Sequence, residues 1–241
     1  MKTSGPIPPA FAADPQGCLL IGGQTVDALV AAAGGTPLFV YDQAVVRGQV
    51  AKFRAAMPAE VALHYAVKAN PSPALLSWLA PLVDGFDLAS AGELDRLTEA
   101  GVKNLPISFA GPGKRDSDLA QAIAAGVTIN LESAGEAQRA LTIAASLGVR
   151  PRLAVRVNPP AGLKGSGMKM GGLASPFGVD HEHVPALVRQ LIDADADWRG
   201  LHVYAGSQSL NADAIIESQR ATVALAAEIA GRSAAGWLVA G

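Results

Sequence analysis

The chain has 241 residues, half of them apolar, a formal net charge of −2 and a single cysteine. This length allows one large domain or two small ones with a sizeable core. The near-neutral charge and the lack of a lysine or arginine run do not favour nucleic acid or an anionic membrane as a partner. Because Cys18 stands alone, an intrachain disulfide and a cysteine-based metal site are excluded, and we predict no metal site.

The N-terminus lacks the continuous apolar core of a signal peptide, since Pro6, Pro8 and Pro9 interrupt it. No later segment reaches the roughly 20 apolar residues of a membrane span. A single cysteine is typical of a reducing compartment. We therefore expect a soluble protein of the cytoplasm.

Short apolar or β-branched runs alternate along the chain with alanine- and leucine-rich segments of helical period. The runs lie near residues 61–67, 85–89, 106–110, 127–132, 153–158 and 200–204, and residues 237–241 are compatible with the start of a seventh. Capping-box spacing and glycines at the expected helix ends support this division, and these residues are Ser90 with Glu93, Ser133 with Glu136, Gly101, Gly126 and Gly148. The pattern predicts parallel strands connected by helices.

Each predicted strand has one apolar face, and its other face collects polar groups toward the carboxyl end. The polar faces hold Ala66, Lys68 and Asn70, then Asp87 and Ala89, Asn130 and Glu132, Ala154, Arg156 and Asn158, and His202 and Tyr204. In a (β/α)8 barrel these ends converge on one mouth, where active sites of that architecture lie. The alternative is that each polar residue only marks a strand leaving the core. An open nucleotide-binding sheet is disfavoured because Asn70–Pro73 has no glycine-rich phosphate loop.

The segment His64–Asn70 places Lys68 within an apparent buried strand. Lysine is almost never fully buried without a partner, and an amine in a dry pocket is suited to Schiff-base chemistry with a carbonyl. The alternative is a lysine at the end of a strand that reaches water.

Six segments in this order resemble the pyridoxal-phosphate (PLP)-dependent diaminopimelate/ornithine/arginine decarboxylase family, which has the fold type III, alanine racemase-like barrel. They are Tyr65–Asn70, Phe86–Glu93, Ile129–Ser133, Arg156–Pro159, Pro176–Gly178 and His202–Gln208, within a similarity that runs from about Pro37 to about Ala230. Residues 169–172 and 176–178 are also similar to a subgroup associated with exosortase-type exopolysaccharide systems. Pro176 departs from the lysine that is common before Phe-Gly in the wider family.

The resemblance implies that Lys68 forms the internal aldimine with PLP and that the small Ala66 leaves room beside the cofactor. By the same resemblance, His202 would stack on the pyridine ring. Without the motif, the alternative is a core histidine whose hydrogen bonds are satisfied by backbone groups. Lys68 and His202 are thus the implied catalytic residues. PLP supplies the electron sink for decarboxylation of a small amino-acid substrate, while the protein binds and orients it.

Asp87 and Arg156 resemble residues near the aldimine and the phenolic oxygen of the cofactor. A purely structural ion pair would explain these two equally well. Gly206 and Ser207 resemble part of the phosphate site, where backbone N–H groups and a hydroxyl suit phosphate oxygens.

The resemblance predicts an N-terminal extension over residues 1–36 and a partial PLP-binding (β/α) barrel over residues 37–241. About six to seven of eight βα units are visible, and the family's C-terminal β-domain is missing from the chain. The family implies a homodimer with shared sites, but the segment that does the sharing is absent here. We expect such a chain by itself to be weakly stable, self-associating or part of a longer protein, because an unclosed barrel leaves strand edges unpaired.

Two other functions stay open beside decarboxylation. One is a racemase-like or noncatalytic PLP-carrier barrel that shares the lysine. The other is a remnant that no longer binds the cofactor.

Overall fold

The structure is a computed structural model that describes residues 10–159, 175–204, 206, 211–233 and 238–240. It divides the chain into two units, Met1–Ala62 and Leu63–Gly241. The N-terminal extension over residues 1–36 followed the start of the family resemblance and stays a prediction.

The first unit contains a small antiparallel sheet and two helices. Its elements are β1 (Ala12–Ala13), β2 (Leu19–Ile21), β3 (Gln24–Thr25), α1 (Val26–Ala33) and α2 (Gln43–Ala56). Both helices begin at a side-chain cap: Thr25 Oγ1 accepts the N–H of Ala28, and Asp42 Oδ1 accepts that of Ala44. Neither helix buries a side chain, so the hydrophobic core of the chain belongs to the second unit.

The second unit is a ladder of parallel strands and helices. Its strands are β4 (His64–Ala66), β5 (Gly85–Leu88), β6 (Ile107–Phe109), β7 (Thr128–Leu131), β8 (Arg152–Asn158), β9 (Val179–Asp180), β10 (Asp197–Val203) and β11 (Leu238–Ala240). Its helices are α3 (Pro73–Leu79), α4 (Ala91–Glu99), α5 (Asp116–Ala124), α6 (Ala134–Leu147), α7 (Val184–Asp193) and α8 (Ala212–Ser233). Among the described residues no helix is long and apolar enough to cross a membrane.

The strands pair in the order β11-β10-β8-β7-β6-β5-β4, and β9 adds to β8. Every one of these pairings is parallel. This confirms the predicted α/β class and all six predicted strand positions, and β11 confirms the seventh. β9 was not predicted, because a two-residue strand carries too little alternation to be recognised.

On β5, β7, β8 and β10 the apolar face is buried beneath the helices. Phe86, Ile129, Val155 and Leu201 are each 3% exposed or less and belong to one hydrophobic cluster. Helix residues such as Leu191 complete the cluster from the outer layer. The predicted alternation of faces is therefore confirmed, and the polar side chains are left on the other face.

The predicted caps are also confirmed. Ser90 Oγ accepts the N–H of Glu93, and Ser133 Oγ accepts the N–H of Glu136. Gly148 ends α6 with a φ of +66°, a left-handed conformation that glycine adopts at no steric cost. Short loops held by local hydrogen bonds thus lead from β5 into α4 and from β7 into α6.

One local prediction was wrong. β4 ends at Ala66, and residues Val67–Ala69 form a single 3-10 turn, in which Val67 is buried and Lys68 is exposed. The ladder with β5 stops at Ala66 paired with Asp87, so the chain is free to turn there. Lys68 consequently lies just beyond the strand end and reaches water, as in the alternative reading of this segment.

Candidate active site at the carboxyl ends of the strands

Polar side chains of neighbouring strands lie side by side on the inner face of the sheet. The register pairs Ala66 with Asp87 and Asp87 with Ser108. Further along the sheet it pairs Arg156 with His202. The polar residues predicted on separate strands are therefore brought into rows rather than scattered.

Asp87 is the centre of the first group. Its Oδ1 accepts a hydrogen bond from Ser108 Oγ and lies 3.7 Å from His64 Nδ1. Burial raises the pKa of Asp87, but hydrogen bonds from His64 and Ser108 outweigh it, so the pKa lies below its ordinary value. At neutral pH this carboxylate is ionised and can bind a positively charged group.

Arg156 and His202 form the second group. The guanidinium carbon of Arg156 lies 4.9 Å from the centre of the Phe177 ring and 5.7 Å from that of Tyr204. His202 is 8% exposed, and burial, then the charge of Arg156, lower its pKa to about 4. The imidazole is therefore neutral at pH 7, and its flat ring can pack against another ring without carrying charge.

The remaining predicted site residues have different surroundings. Lys68 is exposed, one turn past β4, while Ala66 is half-buried at its end. Gly206 adopts a φ of +149°, which favours glycine. Ser207 and residues 169–172 lie outside the described residues.

Sequence reasoning missed a buried network behind this face. Glu132 Oε1 accepts a hydrogen bond from Arg156 Nη1 at 2.9 Å, and Lys114 Nζ donates to Glu136 Oε1 at 3.1 Å. The side chains of Lys114 and Glu136 are 1% and 3% exposed. Glu132 was placed on the polar face by strand alternation, but Lys114 sits in a loop whose sequence gives no sign of burial.

Buried polar atoms on the inner face are left without protein partners. Within the described residues, neither atom of the Asn130 carboxamide makes a hydrogen bond, nor does His202 Nδ1. Buried polar groups are normally satisfied, by protein, water or ligand. Such a face indicates a site that binds a polar molecule, and the fold defines a parallel α/β domain with that site at its strand ends.

The chain belongs to the family described as "Pyridoxal-dependent decarboxylase, pyridoxal binding domain", whose sequence profile matches residues 43–235. Among similar proteins, the L-glutamyl-[BtrI acyl-carrier protein] decarboxylase of Niallia circulans is 32% identical, over 80% of this chain and 46% of that protein. The diaminopimelate decarboxylase of Pseudomonas aeruginosa is 32% identical, over 82% of this chain and 49% of its own. The chain thus spans about half the length of the curated relatives it matches.

Solved structures give the same result. The diaminopimelate decarboxylase of M. jannaschii in complex with L-lysine matches with a TM-score of 0.77 and 26% identity, over 92% of this chain and 53% of that one. The protein AQ1208 of Aquifex aeolicus matches with a TM-score of 0.76 and 31% identity, over 93% and 52%. A further neighbour, an SrLDC mutant, was solved in complex with PLP, with a TM-score of 0.67, 26% identity and coverage of 88% and 52%. These findings confirm the family resemblance and the barrel-type fold.

PLP is the cofactor of this family, and the inner face fits it. The unpartnered Asn130 and His202 atoms offer hydrogen bonds to a bound molecule, and the neutral imidazole offers a flat surface. Arg156, paired with His202 on the adjacent strand, carries a positive charge. Lys68 carries an exposed primary amine, the kind of group that reacts with an aldehyde.

Proposed function

We propose that this protein catalyses PLP-dependent decarboxylation of an amino acid, with Lys68 as the point of cofactor attachment. The observation that carries the proposal is the pairing of a buried, neutral His202 with Arg156 on adjacent strands, beside unpartnered buried polar atoms. The bound cofactor would supply the electron sink for loss of the carboxylate. Family membership supports this reading, and the curated relatives are decarboxylases.

Each proposed residue has a definite task. His202 presents an uncharged ring that fixes the plane of the cofactor. Asp87 is kept ionised by its hydrogen bonds and attracts positive charge near Lys68. The two lie close in the fold because Ala66, two residues before Lys68, is in register with Asp87. Arg156 offers donors to a negatively charged oxygen. Gly206 and Ser207 are proposed for the phosphate, as the resemblance implies.

The substrate is proposed to be a small amino acid, since relatives act on diaminopimelate and neighbours were solved with L-lysine. We also propose a homodimer and a cytoplasmic location, supported by the resemblance and by the composition of the chain. Light scattering of the purified protein would measure the assembly. A racemase-like or noncatalytic PLP-carrier barrel remains the alternative function.

The test is borohydride reduction of the chain with PLP, followed by peptide mass mapping. We expect a phosphopyridoxyl group on Lys68 and its loss in Lys68→Ala. Lys103→Ala, which removes an exposed lysine from a loop, is the matched control and should leave labelling unchanged. Folded protein without labelling at Lys68 would refute the cofactor site.

Release of carbon dioxide then decides the reaction. The protein that attaches PLP would be supplied in turn with five amino acids: diaminopimelate, ornithine, arginine, lysine and glutamate. Carbon dioxide from one of them supports decarboxylation, whereas interconversion of enantiomers without it supports the racemase-like alternative. Cofactor attachment with neither reaction supports the carrier.

A further inference from the structure

The carboxylate of Glu132 joins three segments of the chain that lie in or next to different strands. Its Oε1 accepts the backbone N–H of Gly111 at 2.6 Å and Arg156 Nη1 at 2.9 Å. Its Oε2 accepts the backbone N–H of Gly178 at 2.8 Å. Gly111 follows β6, Arg156 belongs to β8 and Gly178 precedes β9, so one side chain at the end of β7 ties the carboxyl ends of its neighbours together.

Glu132 is itself held by a second layer. Its backbone N–H donates to Glu136 Oε2 at 2.7 Å, and Glu136 Oε1 accepts from Lys114 Nζ. Lys114 Nζ also donates to the carbonyl oxygens of Gly111 at 2.6 Å and Asn130 at 3.0 Å. The two buried cations, Lys114 and Arg156, therefore face two buried carboxylates, and the orientation of Glu132 is determined from both sides.

The contact with Arg156 has an electrostatic consequence. The Glu132 and Arg156 side chains are 3% and 8% exposed, and a buried charge that loses its partner is strongly disfavoured. Arg156 is the neighbour of His202 in the sheet and lowers the pKa of that imidazole, while Glu132 acts in the opposite direction. Glu132 is thus a buried anionic partner of the guanidinium beside the cofactor face.

We propose that Glu132 is a positioning residue of the cofactor site, which acts through Arg156 and holds the Gly111 and Gly178 loops in the geometry that accepts PLP. The proposal deepens the proposed function and rests on it for the identity of the ligand. It assigns no chemical step to Glu132, because both carboxylate oxygens accept hydrogen bonds from protein donors.

The first measurement is made without cofactor on the 241-residue chain. Glu132→Gln keeps the size of the side chain but removes its charge and turns one acceptor into a donor. We expect hydrogen exchange at the Gly111 and Gly178 amides to become at least about tenfold faster, since local opening exposes amides that have lost an acceptor. Glu99→Gln, which changes an exposed glutamate paired with Arg96, is the matched control. Unchanged exchange at both glycines would overturn the proposal.

The second measurement is the PLP concentration at which half of Lys68 is trapped by borohydride. We expect Glu132→Gln to raise this concentration on the order of tenfold, the size of effect typical of groups that orient a ligand-binding residue. In an Arg156→Met background the same change should have less than about a twofold effect, because residues that act through one another are not additive. Equal effects in both backgrounds would show that Glu132 does not act through Arg156 and would also overturn the proposal.

Circular dichroism confirms that each variant is folded before it is scored. If Glu132→Gln alone unfolds the chain, Glu132→Asp is measured in its place, with the same expected changes in smaller size. Absence of Lys68 labelling in the unaltered chain refutes the proposed function, while the amide exchange still decides whether Glu132 holds the loops. The two failures are therefore distinguishable.

Discussion

The imidazole of His64 lies across the backbone of Gly85, its partner in the β4–β5 register. A β-carbon at residue 85 would lie 2.5 Å from His64 Cε1 and 2.5 Å from the carbonyl oxygen of Pro106. The histidine ring could move, but the Pro106 carbonyl is backbone and accepts the N–H of Phe86 at 3.0 Å. Glycine at this position therefore allows the His64 ring of β4 and the Pro106 carbonyl just before β6 to approach the backbone of β5 closely.

Replacing Gly85 with alanine should lower the free energy of unfolding by about 1–3 kcal/mol, the usual cost of overpacking a core. Urea denaturation measures it. Gly113→Ala is the matched control, because a β-carbon there meets no atom within 4 Å, and its effect should stay within about 0.5 kcal/mol. Equal stability of the two variants would contradict the close approach of His64 and Pro106.

The buried pair of Lys114 and Glu136 gives a second prediction. Lys114→Met should destabilise the chain by about 3–5 kcal/mol, because it leaves the Glu136 carboxylate buried without its cation. Adding Glu136→Gln should recover part of this loss, since no charge is then left unpaired. Unfolding free energies of both single variants and the double variant measure the coupling. A double variant whose loss equals the sum of the single losses would show that the pair is not coupled.

His202 should make stability depend on pH. Its pKa in the folded chain is about 4 against an ordinary 6.5, so between these values the unfolded chain binds more protons than the folded one. Stability should therefore rise as pH increases from 4 to 6.5, by about 3 kcal/mol at 1.36 kcal/mol per pKa unit.

Urea denaturation between pH 4.5 and 7.5 tests this dependence in the unaltered chain and in His202→Gln. The variant should lose most of the rise, because glutamine does not titrate. His183→Gln removes an exposed histidine at the start of α7 and should retain the rise. A His202→Gln profile that matches the unaltered chain would assign the dependence to other groups.

Gly178 offers a fourth prediction. Its φ is +78°, and a β-carbon would lie 2.9 Å from the Asn158 nitrogen and 3.0 Å from the Arg156 carbonyl oxygen. Gly178→Ala should destabilise the chain by more than Gly148→Ala, which has a similar φ of +66° but no atom within 4 Å. The control should cost about 1 kcal/mol from conformation alone.

The comparison of these two glycine variants isolates the steric clash with β8. Thermal unfolding of both variants measures the difference. Equal melting temperatures would contradict the close approach of the Gly178 backbone to β8.

Strand positions, alternating faces and helix caps could be predicted from the sequence because each depends on nearby residues. Ser133 and Glu136 are three positions apart, and their cap forms wherever that helix begins. The same local rule failed at Lys68, where β-branched and aromatic neighbours suggested a longer strand. The strand ends earlier because its ladder with β5 ends at Ala66. Pairing between two distant segments cannot be predicted from the local sequence of either segment.

Periodicity and motifs are properties of short segments, so they predicted the order of strands and helices, the apolar face of the sheet and the candidate residues Lys68, Asp87, Arg156 and His202. Three relationships appear only in the assembled fold: Lys68 is exposed, His202 lies beside Arg156, and Glu132 joins Gly111, Arg156 and Gly178. Those relationships span as many as 46 positions along the chain. They depend on strand register and burial, which arise when the parallel sheet assembles.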